Sequence, residues 1–240
     1  MVSHIRHIAL ALLFIATPAL SESSDYFNAW VPAGWKLILS ATGDLNRDGI
    51  EDAVLVLEET NPANFKPNEG LGAPVLNVNP RRLLILLKTP DGYRKVSSRD
   101  NLLPSEHDED SSPCLADPLL EQGGISISDG RLIVKLGTWL SCGSSGVTQQ
   151  KFTFRLENDR FRLIGYDHSS FSRSTGEASE DSINYLTGRK KTTTGENVFE
   201  KNSKPEVSWS RISGKHKFYL DEIAFTCYLG DKQSGCAWNQ

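Results

Sequence analysis

The chain has 240 residues, with 26 Lys and Arg against 30 Asp and Glu, a formal charge of −4. That balance favours solubility and speaks against nucleic acid as a partner, because phosphate binding needs clustered cations. The length suits one large domain or two small ones.

At the start, Arg6, His4 and His7 precede the apolar run Ile8 to Ala16, and Ala19-Leu20-Ser21 offers small residues for cleavage. This is the layout of a secretory signal peptide, with an apolar part too short to span a bilayer stably. No later stretch is long enough for a transmembrane helix, and no cysteine follows closely enough for a lipid anchor. Residues 1–21 are therefore expected to be a removed signal, leaving 22–240 as one mainly β domain in a periplasm or outside the cell. Removal of Arg6 leaves 25 basic against 30 acidic residues.

Ser24 to Trp30 reads as one short helix halted by Pro32. Trp35 to Ser40 reads as a strand leading into Asp44-Leu45-Asn46-Arg47-Asp48-Gly49-Ile50-Glu51-Asp52. Oxygen-bearing side chains at alternate positions, then a glycine, suit a short loop wrapped round a hard cation. Asp44, Asn46 and Asp48 offer side-chain oxygens, the Ile50 carbonyl can turn inward, and Asp52 can close the shell; Ca2+ suits this cage better than magnesium. The competing reading is a plain Asn/Asp/Gly surface turn. Leu45, Arg47 and Glu51 alternate with the ligands and are expected to point outward, so the ion is expected to be structural.

An EF-hand needs a bidentate Glu at its twelfth position, and counting from Asp44 that position is Leu55, so the helix-loop-helix reading fails. The run Ala53 to Leu57 is instead a buried-strand signature. Together, Gly43 to Val56, the second apolar run Leu83 to Leu87 and the turn Asp91-Gly92-Tyr93 resemble the strand-loop-strand calcium site of FG-GAP and VCBS-type repeats, over about 36–97. The resemblance implies a blade-like antiparallel unit with Ca2+ in its loop. No second copy of the loop follows, whereas a propeller needs several blades.

The connection Asn61 to Pro80, with four prolines, is long for a compact domain and is expected to be mobile. Leu83 to Leu87, Pro90-Asp91-Gly92 and Tyr93 to Val96 form a hairpin. Glu106 to Asp110 is an acidic knot, read as a solvated loop rather than a second cation site.

Cys114, Cys142, Cys227 and Cys236 suit two disulfides in an oxidising compartment, with no metal-ligand spacing among them. Three pairings are possible, and proximity favours Cys114–Cys142 and Cys227–Cys236. From residue 123 antiparallel hairpins dominate: Ile125–Ser128 and Leu132–Leu136 around Asp129-Gly130, then Lys151–Leu156 and Phe161–Tyr166 around Asn158-Asp159. Ser182 to Leu186, Arg189 to Thr194 and Glu206 to Ile212 follow, with Val207, Trp209 and Arg211 on one face and Trp209 expected in the core. Arg189-Lys190-Lys191 reads as a protected edge strand. A last short strand is expected within Phe218 to Cys227. The segments Gly123-Gly124-Ile125, Phe152 to Arg155, Leu163 to Tyr166 and Asn184 to Gly188 resemble a broad group of exported bacterial proteins without assigned activity.

No catalytic set is legible. Gly143-Ser144-Ser145-Gly146 has the wrong spacing for a nucleophile elbow. Asp167 and His168 are neighbours on a strand and face opposite ways; His168 is expected at the surface. The expectation is an exported, calcium-binding, non-catalytic binding or interaction protein of the bacterial envelope, with an unknown protein or envelope ligand as partner and an inhibitor of a secreted enzyme as one form. The alternative is a cell-envelope hydrolase using acidic residues of Asp44–Asp52 or Glu106–Asp110.

Overall fold

The computed structural model describes residues 26–107, 113–212, 217–223 and 225. Strands dominate, and no helix among these residues reaches seven residues. Within the unit Met1–Trp30, the described part is a short turn whose Asn28–Trp30 is a 3-10 helix in place of the expected α-helix.

The unit Val31–Gln240 carries all the strands. β1 (Trp35–Gly43), β2 (Asp52–Glu59), β5 (Arg81–Thr89) and β6 (Gly92–Leu103) form a four-stranded sheet in that order. β3 (Phe65–Pro67) and β4 (Val75–Asn77) form a separate ribbon inserted between β2 and β5. β7 (Gly124–Ser128), β8 (Arg131–Thr138), β9 (Gly146–Glu157), β10 (Arg160–Ser172), β11 (Glu177–Asn184), β12 (Arg189–Asn197) and β13 (Glu206–Arg211) form a seven-stranded sheet. Every pairing is antiparallel. In the larger sheet each strand pairs with the next, so register is set by local turns.

Those turns follow the sequence closely. Asp129-Gly130 and Asn158-Asp159 all take positive φ, the left-handed pair that a two-residue hairpin with right-handed strand twist demands. Asn184 Oδ1 accepts the N–H groups of Leu186 and Thr187 and so shapes the turn into β12.

The two sheets share one apolar core. Val54, Val56, Leu83 and Ile85 supply one side, and Leu132, Val134, Phe152, Phe154 and Tyr166 the other. Ala53, Leu55 and Leu57 are also fully buried, so β2 is a central strand covered on both faces. That is why it reads as a continuous apolar run rather than an alternating one. Phe225 meets Phe152 edge-on at 4.5 Å between ring centroids. The Phe218 to Cys227 segment is not a strand in its described part: Leu220–Glu222 is a 3-10 turn, and only Tyr219 makes a β-bridge, to Arg162.

Cys114 is bonded to Cys142, with Cα atoms 5.5 Å apart, as the proximity argument expects. Beside it Ser141 N–H donates to the Cys114 carbonyl and Ala116 N–H to that of Trp139. The bridge closes a separation of 28 residues, and on the chain-entropy account it stabilises by roughly 3–4 kcal/mol. Cys114→Ala/Cys142→Ala should therefore lower the free energy of urea unfolding by about that amount. A loss within experimental error would show that neighbouring hydrogen bonds hold this segment alone. Cys227 and Cys236 lie outside the described residues.

Candidate functional site

The loop between β1 and β2 is built as a nest of side-chain oxygens. Asp44 Oδ1 accepts the N–H groups of Arg47 and Asp48, and its Oδ2 that of Gly49 at 2.8 Å. Asn46 Oδ1 accepts the same Asp48 N–H at 3.0 Å, so the Asp44 and Asn46 oxygens converge on one point. Asp48 Oδ1 accepts Ile50 N–H, and its Oδ2 takes a hydrogen bond from Asn46 Nδ2. Arg47 and Gly49 have φ of 65° and 85°, the left-handed conformations that turn the chain back on itself.

Asp52 plays a different part. It is fully buried at the start of β2, where Oδ2 accepts Leu45 N–H and Oδ1 accepts Lys88 N–H, both at 2.8 Å. Burial pushes its carboxyl above the usual range, against the pull of those N–H groups. The Asn46 N–H acts on the same carboxylate, in the same direction.

Leu45 departs from its expected outward position. It is 2% exposed and belongs to the shared core, so the loop is anchored through its own second residue. Arg47 and Glu51 are exposed, and the Arg47 guanidinium reaches the Asp129 carbonyl at 3.1 Å. The loop thereby touches the β7–β8 turn across a cleft lined by Gly43, Asp44, Arg47 and Ile127 to Gly130. Among the described residues no group of three or more His, Cys, Asp and Glu side chains is arranged to hold a metal. The loop's donor set is a mixed one, three carboxylates (Asp44, Asp48 and Asp52) with the Asn46 amide oxygen, beside a carbonyl at Ile50.

A second polar assembly was not legible in the sequence. Arg81, fully buried, donates from Nε to Glu58 Oε2 at 3.0 Å, from Nη1 to Asp117 Oδ1 at 2.8 Å, and to the Pro104 carbonyl. Its Nη2 lies 2.5 Å from Asp117 Oδ2, which completes a bidentate pair. Glu58 also holds Lys36 at 2.8 Å and accepts from Asn77 Nδ2. Asn77 reaches on to Glu106, and its N–H donates to His107 Nδ1. Because Nδ1 accepts there, the 3.9 Å approach of Glu106 to that atom is not an ion pair. Asp117 caps the N–H groups of Leu119 and Leu120.

This network orders the long connection expected to be mobile. Asn61 caps the 3-10 turn Pro62–Asn64, Asn68 ties Gly70, Leu71 and Ala73, and Asn79 joins Asn61 to Asn77. Every carboxylate in it has a cationic or N–H partner. Of the acidic knot, Glu106 and His107 belong to the network, and residues 108–110 lie outside the described ones.

No family model matches the chain, and neither the curated proteins nor the solved structures contain a significant match.

The remaining candidates lie on the larger sheet. A shallow trough of about 450 Å³ on the larger sheet is lined by Lys135, Gln149, Lys151, Asp167, Ser169 and Glu180 among others. Asp167 is committed there to Lys151 at 2.6 Å and to Ser182 Oγ. His168 lines the same trough, next to Asp167 in the chain. It is half-buried rather than at the surface, with Nε2 enclosed and lacking a hydrogen-bond partner, and burial lowers its pKa. Trp209 is 58% exposed and not in the core. Arg189-Lys190-Lys191 lies on β12, which is interior because β13 covers it.

Proposed function

We propose that this is an exported, calcium-binding, non-catalytic binding or interaction protein of the bacterial envelope. Ca2+ would be held by Asp44, Asn46, Asp48, the Ile50 carbonyl and Asp52. The observation that carries the reading is the convergence of the Asp44 and Asn46 oxygens on the Asp48 amide, inside a turn fixed by Arg47 and Gly49. The resemblance of Gly43 to Val56 to FG-GAP and VCBS-type loops supports the same ion. The role is read as structural because the loop joins β1 to β2, sinks Leu45 into the core and ties Arg47 to the Asp129 carbonyl. The ion would offset the repulsion between Asp44 and Asp48 and fix the register of β1 on β2.

A ligand that binds only the folded chain stabilises it by mass action. Calcium at 100 times its dissociation constant should therefore add about 2.7 kcal/mol, read as a rise in melting temperature. Asp48→Ala should abolish that increment. Calorimetric titration with no calcium uptake at millimolar concentration would remove the ion from this reading.

A further inference from the structure

We propose that the free edge of β13 is a docking strand for an extended, acidic segment of another polypeptide. The inference rests on the reading of the chain as a binding protein, and it is independent of calcium. β13 ends the order of the seven-stranded sheet, and all six of its residues are exposed. Ile212 N–H donates to the Gly188 carbonyl at 3.0 Å, which fixes the phase of the β12–β13 ladder. Even-numbered residues of β13 therefore turn their backbone groups to β12. Val207, Trp209 and Arg211 turn theirs outward, where an added strand would pair with them.

The side chains choose the partner. Val207 and Trp209, 51% and 58% exposed, share a face with Arg211. In register beside them on β12 stand Thr193, Lys191 and Arg189, and the Arg189 guanidinium sits over the Trp209 ring at 4.5 Å. No carboxylate lies between Thr193 and Arg189 on this stretch of β12 or beside Trp209 on β13; Glu180 of β11, opposite Thr193, and Glu196, past the bulge in β12, are the first ones met. On the reverse face the contrast is plain, since Lys190 is paired with Asp181 at 3.0 Å. Thus a protein of net charge −4 presents three cations around an exposed tryptophan, beside a backbone edge that no strand among the described residues pairs with. A second copy of the chain would set its own three cations against these. A strand carrying carboxylates and apolar side chains at alternate positions would complement them.

The probe is a fluorescently labelled, capped peptide of alternating aspartate and valine, followed by anisotropy against the whole chain, with a lysine–valine peptide as control. The aspartate peptide should bind and weaken with added salt, and the lysine peptide should not bind. Val207→Pro removes an outward N–H without touching the ladder, a placement edge strands tolerate. It should abolish binding with the melting temperature unchanged. Lys191→Glu/Arg211→Glu, both on the surface, should weaken the aspartate peptide about tenfold or more and admit the lysine peptide. Equal binding of both peptides, binding of neither, or indifference to these substitutions would overturn the proposal. So would sedimentation showing a dimer of the unliganded chain that Val207→Pro dissolves, which would assign the edge to a second copy. A chain that takes the aspartate peptide but no calcium would uphold this inference and sink the calcium reading alone.

Discussion

Replacing Arg81 by methionine should cost about 3–5 kcal/mol, the range for removing one partner of a buried ion pair. Arg81 stands between Glu58 and Asp117, which are 2% and 5% exposed, and it neutralises both at once with help from Lys36. Without the guanidinium, two carboxylates remain in the interior with too few donors. Against a typical domain stability of about 5–15 kcal/mol the loss is large. Glu58→Gln and Asp117→Asn added to Arg81→Met should recover part of it, because they remove the buried charge and keep most hydrogen bonds. Urea unfolding of the single and triple variants at neutral pH measures this. A triple variant less stable than the single one would mean that the hydrogen-bond geometry, not the charge, dominates.

The same network gives the fold an acid limit. Burial works against ionisation of Glu58, but Lys36, Arg81 and Asn77 outweigh it and hold the carboxyl below its ordinary value. For Asp117, burial is likewise outweighed by Arg81 and by the N–H groups of Leu120 and Leu119. Both folded-state values lie below the unfolded ones. Their stabilisation is therefore fully present above the ordinary carboxylate range, about pH 4–4.5, and drains as pH falls through the depressed folded values. The network's share of the unfolding free energy, read as the difference between the wild-type chain and Arg81→Met, should be nearly flat from pH 7 to about pH 5 and fall below that. Arg81→Met should flatten the acid slope, since the cation that sets it is gone.

What the sequence disclosed and what it concealed follow from the range of the forces involved. Asp129-Gly130 and Asn158-Asp159 were legible because a two-residue turn is decided by its own backbone energetics. Period-two alternation correctly grouped Val207, Trp209 and Arg211 on one face. It could not say whether that face met a core, because sheet order is a non-local property and β13 happens to be last. The Arg81 network was hidden for the same reason. Glu58 and Arg81 each flank an apolar run and look like solvated strand ends, yet they are directly paired in the β2–β5 register, and Asp117 arrives from a distant loop. A signal was present in the asparagines of the 61–80 connection. Side-chain amides that bond to nearby backbone order a loop, and Asn61, Asn64, Asn68, Asn77 and Asn79 are too many for a merely mobile one.

The oxygen spacing of Asp44 to Asp52 was legible, whereas the anchor of that loop was not, and the difference can be measured. Leu45→Ala should destabilise the protein by about 2–5 kcal/mol, the usual cost of truncating a fully buried leucine. Leu45 lies in the core shared by both sheets, and its N–H is held by Asp52, so the side chain fixes the loop from below whether or not an ion is present. Its cost should accordingly be the same in calcium and in chelator. Asp48→Ala behaves differently on the calcium reading: its carboxylate accepts only from Ile50 N–H and Asn46 Nδ2, both exposed bonds within the turn, so little is lost in chelator. In calcium the same variant forfeits the ligand's whole mass-action contribution. Unfolding curves of both variants with and without calcium thus separate packing from coordination. If Asp48→Ala lost as much stability in chelator as in calcium, the loop would be a hydrogen-bonded turn that needs no metal. If Leu45→Ala lost stability only in calcium, the anchor would lie in the ion and not in the core.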